Sequence, residues 1–508
     1  MADWSMEPAA VWVPSEFQLA NWTMEPAVWS PDLPADQIFG SWLQTSVASS
    51  SGEQLVEYAA ATQNNDPIHV FEEAAHEFET DINMMKMKMH TYPASFRALG
   101  EQYTAPTMVA IGPYHHGRDR LKQAETAKHV AAYHCIRESG HSVQEMYDAV
   151  VSVAHYARSL YDQAAVAGIG DDDFLPMMFY DACFLVQYML TCTPTGFAEM
   201  DPALRSFLDS NDNDIYHDIM LLENQLPWRV VEAVMRFRPV PLEGFITCLK
   251  GCLQDRKVPE EEPFVLDESY EPPHLLGLLR FYIVGRRSNT KLPTPPETDS
   301  VSVSGISNTK RPPQPQTESI SFSVSAIELA EIGITLAANN KTTELIHMGV
   351  KKKGPIFAEL SLAPLTLDDA RASYLVNMAA LELCTIPHFQ DAEDEESAVC
   401  SYLLLLDMFV DRENDVHELR TKHLLQGGGG LTNKEALDFF ASLPGLRLGS
   451  CYVRIMEEIE KYRVKRRMWI TVHAFLYKNI RTIVMAISAI GALVAIFGTL
   501  RSLKVHVH

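Results

Sequence analysis

One stretch near the carboxy terminus, residues 483–500, contains eighteen consecutive residues without a charge. At about 1.5 Å per residue a helix of this length spans roughly 27 Å, close to the hydrocarbon thickness of a bilayer. A buried core helix is the alternative, but such helices normally keep a polar face, and the polar side chains here are only Ser488 and Thr499. The stretch therefore predicts a single transmembrane helix, with a short tail at 501–508.

Flanking charge predicts the orientation of that helix, because cytoplasmic flanks of membrane helices are enriched in Lys and Arg. No acidic residue occurs between positions 463 and 482, whereas several cations do. The flanking cations are Arg463, Lys465, Arg466, Arg467, Lys478 and Arg481 before the helix, and Arg501 and Lys504 after it. We expect the bulk of the chain on the cytoplasmic side and bilayer lipid as a partner. The sequence does not choose between the plasma membrane and an endomembrane.

The composition is that of a globular protein with an acidic surface. The chain has 508 residues, of which 47% are hydrophobic, and a formal net charge of −24. This charge opposes nucleic acid as a partner, because phosphate binding needs concentrated Lys and Arg. The first thirty residues lack the basic start and apolar core of a secretory signal. Eight scattered cysteines predict buried thiols in a reducing compartment.

Apolar spacing predicts helices through most of the chain. From Val150 to Tyr161 apolar residues recur at intervals of three and four, as on a buried helix face. The stretch Met177–Leu190 is apolar nearly all round and is expected to lie deep in the core. Alternation over Phe357–Leu367, around Pro364, predicts a small β-hairpin. The predicted fold class is mainly α, a large helical body with a small β-hairpin and a single C-terminal transmembrane helix.

Composition shifts divide the chain into six predicted segments. The arm carries the hexapeptide WSMEPA at 4–9, which recurs as WTMEPA at 22–27. The insertion is rich in Pro, Ser and Thr, which bury too little apolar surface to offset ordering entropy. The segments are a disordered acidic arm at 1–52, a helical first half at 53–285, a flexible insertion at 286–325, a helical second half with a basic juxtamembrane end at 326–482, the membrane helix at 483–500 and the tail at 501–508.

Four stretches carry a family resemblance. They are IGPYHHG at 111–117, FYDACFL at 179–185, DIMLLENQLP at 218–227 and HLLGLLR at 274–280. In this order, before a carboxy-terminal membrane helix, they resemble the plant family called domain of unknown function 247, the UPF0481-type membrane proteins. The likeness covers roughly residues 106–500. A fifth stretch, NMAALEL at 377–383, resembles a family motif that usually has Phe and Gln at the positions of Leu381 and Leu383.

The resemblance implies a mostly helical, membrane-associated plant protein without an established catalytic activity. Some relatives are linked to self-incompatibility in grasses, which implies recognition or signalling. We therefore expect a membrane-tethered interaction protein that binds an unknown protein partner through its arm, its acidic surface or its insertion. The sequence does not determine the oligomeric state.

Four polar residues in these stretches are candidates for chemistry, namely His115, His116, Asp181 and Glu223. Imidazoles and carboxylates can bind a metal or transfer protons, so the alternative function is a hydrolase or a metal-dependent enzyme. In the structural interpretation, which we favour, Glu223 and Asn224 bond backbone groups or a partner such as His115 or Arg280. No GxSxG, HExxH, phosphate-loop or kinase signature is present. We therefore assign no catalytic residue, metal or cofactor.

Overall fold

The computed structural model describes the helical body of the chain. It covers residues 84–254, 265–286 and 325–465, apart from gaps at 194–195, 197–199, 340–341, 343, 355–356, 390–391, 427–429 and 444, together with parts of 479–496. The predicted arm at 1–52, nearly all of the predicted insertion at 286–325 and the tail at 501–508 lie outside the described residues.

The predicted first half, 53–285, is described from residue 84 onwards, and that part is helical. Its described helices are α1 (Ala94–Arg97), α2 (Glu101–Thr104), α3 (Lys122–Ser139), α4 (Val143–Ser159), α5 (Gln163–Val166), α6 (Asp171–Thr191), α7 (Pro202–Ser210), α8 (Asp212–Ile219), α9 (Trp228–Met235), α10 (Leu242–Gln254) and α11 (Leu275–Val284). The connection between α1 and α2 is only a few residues long, and a short 3-10 turn precedes α3.

Helix α6 is central to this half. Three aspartates in its first turn stabilise the positive end of the helix dipole. Beyond them nearly every side chain is buried, and α3, α4 and α9 pack against the helix. The prediction that Met177–Leu190 lies deep is confirmed. Helix α4 begins with a capping box between Ser142 and Glu145 and buries the predicted face from Val150 to Ala157.

The second half adds a small sheet to further helices. Its described elements are α12 (Ala326–Glu331), β1 (Ile334–Ala338), β2 (Gly349–Lys353), β3 (Phe357–Leu362), β4 (Leu365–Thr366), α13 (Asp369–Thr385), α14 (Ala398–Phe409), α15 (Glu413–Thr421), β5 (Leu425–Gln426), α16 (Asn433–Ala441) and α17 (Ser450–Lys465). Helices α13 and α14 are buried along most of their length and supply the core of this half. The described chain is thus mainly helical, in agreement with the predicted fold class.

The hairpin is present but displaced from its predicted position. Strand β3 pairs antiparallel with the preceding β2 and parallel with β1, whereas β4 pairs with β5 in a separate two-stranded sheet. Pro364 separates β3 from β4 and has no N–H to donate to a ladder, so the alternating stretch is divided between two sheets. Strand β2 contains three consecutive lysines and so lacks the alternation of a half-buried strand. For this reason the sequence pattern did not identify β2 as the partner of β3.

The two halves share one hydrophobic core. A single cluster of buried apolar side chains extends from Met89 in the first half to Tyr462 in the second. The backbones also meet directly, because the N–H groups of Leu345 and Ile346 donate to the carbonyls of Ile283 and Val284 at 3.1 and 3.0 Å. The two halves therefore form one body with a common core.

The cysteines follow the prediction in part. Cys135, Cys183, Cys400 and Cys451 are buried, and none of the described cysteines takes part in a disulfide. Cys248 is exposed, so the prediction of a buried thiol is wrong at that position. It lies on α10, where one face is solvated.

One described helix is long and apolar enough to cross a bilayer, and it is α6. Of its apolar window, 78% is buried inside the protein, as in the core helix of a globular protein. In the predicted membrane segment the structure describes helix α18 (Ile487–Ile496). These ten residues are fewer than the roughly 20 that span a bilayer. The transmembrane helix therefore stays a prediction.

Candidate functional site

The first family stretch follows a segment whose backbone is held by side chains instead of by a neighbouring strand. The Asp218 carboxylate accepts N–H bonds from Thr107, Met108 and Val109 at 2.8, 2.6 and 2.7 Å. Asp218 is fully buried at the end of α8, so these bonds satisfy a charge that burial would otherwise destabilise. Asn224 continues the pattern, because its Oδ1 accepts from the Ile111 N–H at 2.7 Å.

The second stretch contributes a buried ion pair to the same segment. Asp181, on α6, accepts the Gly112 N–H at 2.8 Å and lies 2.7 Å from the Lys128 Nζ on α3. The ammonium also contacts Glu125 at 2.7 Å. Burial alone would lower the pKa of Lys128, but the two carboxylates outweigh it and raise that pKa. Lys128 is therefore a cation within the core, and Asp181 is engaged on both oxygens.

Gln225 joins the third stretch to the fourth. Its Nε2 donates to the carbonyls of Ile219 and Leu221, and its Oε1 accepts the Leu276 N–H at 3.0 Å. Its own carbonyl accepts the Tyr161 hydroxyl at 2.9 Å. The start of α11 is fixed a second time, because the Gly277 N–H donates to His274 Nδ1 in an N-terminal cap.

Asn377, on α13, joins the second half to the first. Its Oδ1 accepts from the Tyr92 hydroxyl at 2.6 Å and from the Leu222 N–H at 2.8 Å. Its Nδ2 donates to the Tyr103 carbonyl at 3.0 Å. Asn377 is completely buried, so all of its bonding capacity is used inside the protein.

A buried ion pair links the fourth stretch to the fifth. Arg280 Nη2 lies 2.6 Å from Glu382 Oε1, and the same nitrogen donates to the carbonyls of Glu395 and Glu396. The Glu382 carboxylate also accepts the N–H groups of Val399 and Cys400 at the start of α14. We use the term polar framework for the side chains that connect the five stretches. They are Asp181, Asp218, Asn224, Gln225, Asn377, Arg280 and Glu382.

The four candidate residues are not gathered into one site. Asp181 belongs to the polar framework, while Glu223 is only partly buried and accepts the Tyr92 N–H at 2.8 Å. The two adjacent histidines diverge, with His115 buried and His116 exposed. Within the described ranges no hydrogen bond or ion pair joins any two of these four residues. The expectation that Glu223 and Asn224 bond backbone groups is confirmed.

His115 and His274 are buried imidazoles held in the neutral form. Burial, reinforced for His115 by Arg118 and Arg120, lowers the pKa of each to about 3. Neither ring nitrogen of His115 has a hydrogen-bond partner among the described residues. His274 accepts at Nδ1, so its proton is on Nε2. In the described part of the chain no three His, Cys, Asp or Glu side chains are close enough together to hold a metal ion.

A cleft of about 1070 Å³ lies beside the Arg280–Glu382 pair. Arg280 lies at its base, Leu381 of the fifth stretch lines one side, and the acidic segment 393–396 forms another wall. Tyr270 and Phe281 stack at the cleft with ring centroids 3.7 Å apart. The cations Lys86, Arg280 and Arg286 line the same cleft, and Lys86 pairs with Glu396, so the cleft holds charges of both signs.

Sequence reasoning missed the contribution of the second half to this framework. Asn377 and Glu382 were quoted within the fifth stretch, but neither was singled out as a functional residue. The signal was available, since a carboxylate and an amide within an apolar helix must find buried partners. The departures at Leu381 and Leu383 leave both polar residues in place, so the bonding role of this stretch is retained.

Two glycines with the same backbone angle provide a matched test of this packing. Gly112 and Gly117 both have φ of 74°, where an added Cβ is strained. A Cβ on Gly112 would lie 2.7 Å from the Gln225 carbonyl oxygen, whereas one on Gly117 would meet nothing within 4 Å. We expect Gly117→Ala to cost about 1 to 2 kcal/mol and Gly112→Ala clearly more. Thermal unfolding of the purified protein measures both, and equal losses would contradict the close approach.

Removal of the buried carboxylate tests the link between the stretches. Glu382→Gln leaves the partly buried Arg280 without its counter-charge, so we expect a loss of about 2 to 3 kcal/mol in the free energy of unfolding. The control is Glu457→Gln, which breaks an exposed pair with Lys461 and should cost at most about 1 kcal/mol. Denaturant titration compares the two variants. A small loss for Glu382→Gln would show that the ion pair does not hold α11 on α13.

The neutral histidines predict acid sensitivity. Because the pKa of His115 is about 3 in the folded protein and about 6.5 when unfolded, the unfolded chain binds more protons between these values. Stability therefore falls as the pH drops through this window, by about 2 kcal/mol per histidine between pH 8 and pH 5. His115→Asn should flatten the dependence, and His116→Asn, at an exposed site, should not. Unfolding titrations at several pH values test this, and identical slopes would refute it.

Comparisons with known proteins agree with the resemblance. The family model DUF247, described as a plant protein of unknown function, matches residues 89–495. A UPF0481 protein of Arabidopsis thaliana is 24% identical over 357 residues, which are 69% of this chain and 71% of that protein. A putative UPF0481 protein of the same plant is 23% identical over 224 residues, or 42% of this chain and 41% of that protein. No solved structure matches. Because the family model covers most of the chain, this protein belongs to the plant family of unknown function DUF247.

Proposed function

We propose that this protein is a membrane-tethered interaction protein whose helical body works on the cytoplasmic side of a membrane. The observation that carries the proposal is the exposure of the described carboxy-terminal segment. Its large apolar side chains are all more than half exposed, namely Val484, Met485, Ile487, Ile490, Leu493, Val494 and Ile496. A contiguous apolar surface of this kind is unfavourable in water and marks a membrane or protein contact.

Comparison with α6 supports lipid as that contact. Both segments are strongly apolar, but α6 buries its side chains in the core, while α18 exposes them on every side. A helix that is apolar all round suits lipid better than a protein groove, which contacts only one face. As a helix, the uncharged run from 483 to 500 is long enough to cross the hydrocarbon core of a bilayer.

The cytoplasmic side is proposed from charge. The basic flank that includes Arg466, Arg467, Lys478 and Arg481 precedes the apolar run, and Arg501 follows it. Such asymmetry favours the preceding body on the cytoplasmic side. The remaining body is acidic overall, which favours protein partners with basic surfaces. A role in recognition or signalling, as in the grass relatives, fits a tethered body of this kind.

The enzyme alternative receives no support from the geometry. A general acid and base must lie within hydrogen-bond reach of the reacting group, in an accessible pocket. Asp181 is fully buried and pairs with Lys128, and the Glu223 carboxylate accepts a backbone N–H. Both carboxylates are thus engaged in holding the fold.

Carbonate extraction tests the tether. We expect the full-length protein to stay with the membrane pellet at alkaline pH, because apolar insertion does not depend on salt bridges. A chain ending before Lys478 lacks the apolar run and should appear in the supernatant. If the full-length protein were extracted like the truncated one, the tether would be refuted.

Glycosylation reports the sidedness of the same protein. The sequons at Asn21 and Asn340 should stay unmodified in plant cells, because a cytoplasmic body does not meet the glycosylation machinery. An engineered sequon after Arg501 serves as the positive control, because that tail is expected on the opposite side. A glycosidase-sensitive mass shift at Asn21 or Asn340 would reverse the proposed orientation.

A further inference from the structure

A basic strand lies against the helix that leads towards the predicted membrane segment. Strand β2 is an edge strand, and its three lysines, Lys351, Lys352 and Lys353, are all exposed. They stand out on a chain whose net charge is −24. Helix α17 packs against β2, and after Lys465 the sequence continues into the basic flank.

Two contacts fix the direction of β2 relative to α17. Arg454 Nη2 donates to the Met348 carbonyl at 3.4 Å, and Glu458 Oε2 accepts the Val350 N–H at 3.0 Å. Two residues along a strand cover about 6.6 Å. Four residues along a helix cover about 6 Å. The strand and the helix therefore run side by side in the same direction, with closely matched spacing.

The distances along β2 and α17 place Lys351–Lys353 beside the carboxyl end of α17. From Val350 to Lys353 the strand advances about 10 Å. From Glu458 to Lys465 the helix advances about 10 Å. The end of β2 and the end of α17 therefore lie at the same end of the body.

This end also exposes large apolar side chains. Phe357, which pairs with Lys353 across the hairpin, is 44% exposed, and Val464 in the last turn of α17 is 67% exposed. Three acids of this end pair with its own cations, Glu359 with Lys353, Glu457 with Lys461 and Glu460 with Arg463. The attraction for lipid therefore rests on Lys351 and Lys352. Exposed apolar side chains among lysines are typical of surfaces that rest on lipid headgroups.

We propose that this basic end, formed by Lys351–Lys353, Phe357 and the last turn of α17, binds the surface of an anionic bilayer. The inference rests on the proposed membrane tether and adds the face of the body that meets the lipid. Lysines close to an anionic leaflet are attracted to it, and the attraction is strongest within a Debye length, about 8 Å at physiological salt. The occupant is a lipid surface because the sequence after Lys465 runs through the basic flank to residue 483, where the segment expected to enter the membrane begins.

Lysine labelling on reconstituted full-length protein tests the inference. The protein is placed in vesicles of phosphatidylcholine alone or of phosphatidylcholine mixed with phosphatidylserine, and a membrane-impermeant acetylating reagent labels outward-facing bodies. We expect the labelling of Lys351 and Lys352 to be about fivefold slower on the mixed vesicles. Lys122 and Lys434 are exposed lysines on α3 and α16, and their labelling should not change. In molar salt the protection of Lys351 and Lys352 should disappear, because screening shortens the Debye length to about 3 Å.

Charge reversal supplies a second measurement. Lys351→Glu with Lys353→Glu should abolish the slow labelling of Lys352 on phosphatidylserine vesicles, while Lys122→Glu with Lys434→Glu should leave that slow labelling intact. Equal labelling of Lys351 and Lys352 on both vesicle types overturns the basic-end proposal even if the protein resists carbonate. Extraction by carbonate overturns the tether itself, and the two failures are thereby distinguished.

Discussion

Buried polar side chains that bond the backbone of residues 107–112 hold this fold together. That segment passes through the core without a neighbouring strand, so its N–H groups need other partners. Asp218 on α8, Asp181 on α6 and Asn224 in the loop between α8 and α9 supply them. Without these bonds the segment would carry unsatisfied polar groups into the interior, at a cost of about 1 to 3 kcal/mol for each group.

This arrangement explains why the family stretches contain polar residues within apolar runs. Asp218, Asn224 and Gln225 bond backbone atoms that are far away in sequence. Arg280 bonds the Glu382 carboxylate and the backbone carbonyls of Glu395 and Glu396. Such bonds need one defined geometry, so they specify how the helices pack as well as stabilising them. The recognisable motifs of this chain therefore fix how the helices of its body pack against one another.

Much of the fold could be predicted from the sequence, because helical spacing is a local property. The depth of α6 and the buried face of α4 followed from the apolar pattern at Met177–Leu190 and Val150–Tyr161. The pairing of β3 did not, because a strand's partner is set by tertiary contacts and β2 is too rich in lysine to show alternation. The site was predicted in part: that Glu223 and Asn224 bond backbone was correct, but Asn377 and Glu382 depend on contacts between halves more than 100 residues apart.

Because the two halves contact each other directly, the connection at 286–325 is not needed to keep them associated. Asn377 bonds Leu222, Glu382 bonds Arg280, and Leu345 and Ile346 bond the end of α11, so the association does not depend on the peptide chain that joins them. A single proteolytic cut in that connection would yield two fragments under denaturing conditions and one intact particle in native buffer. The body would thus persist as a two-chain form, in which the contacts between the halves hold the amino-terminal fragment to the fragment that carries the apolar segment.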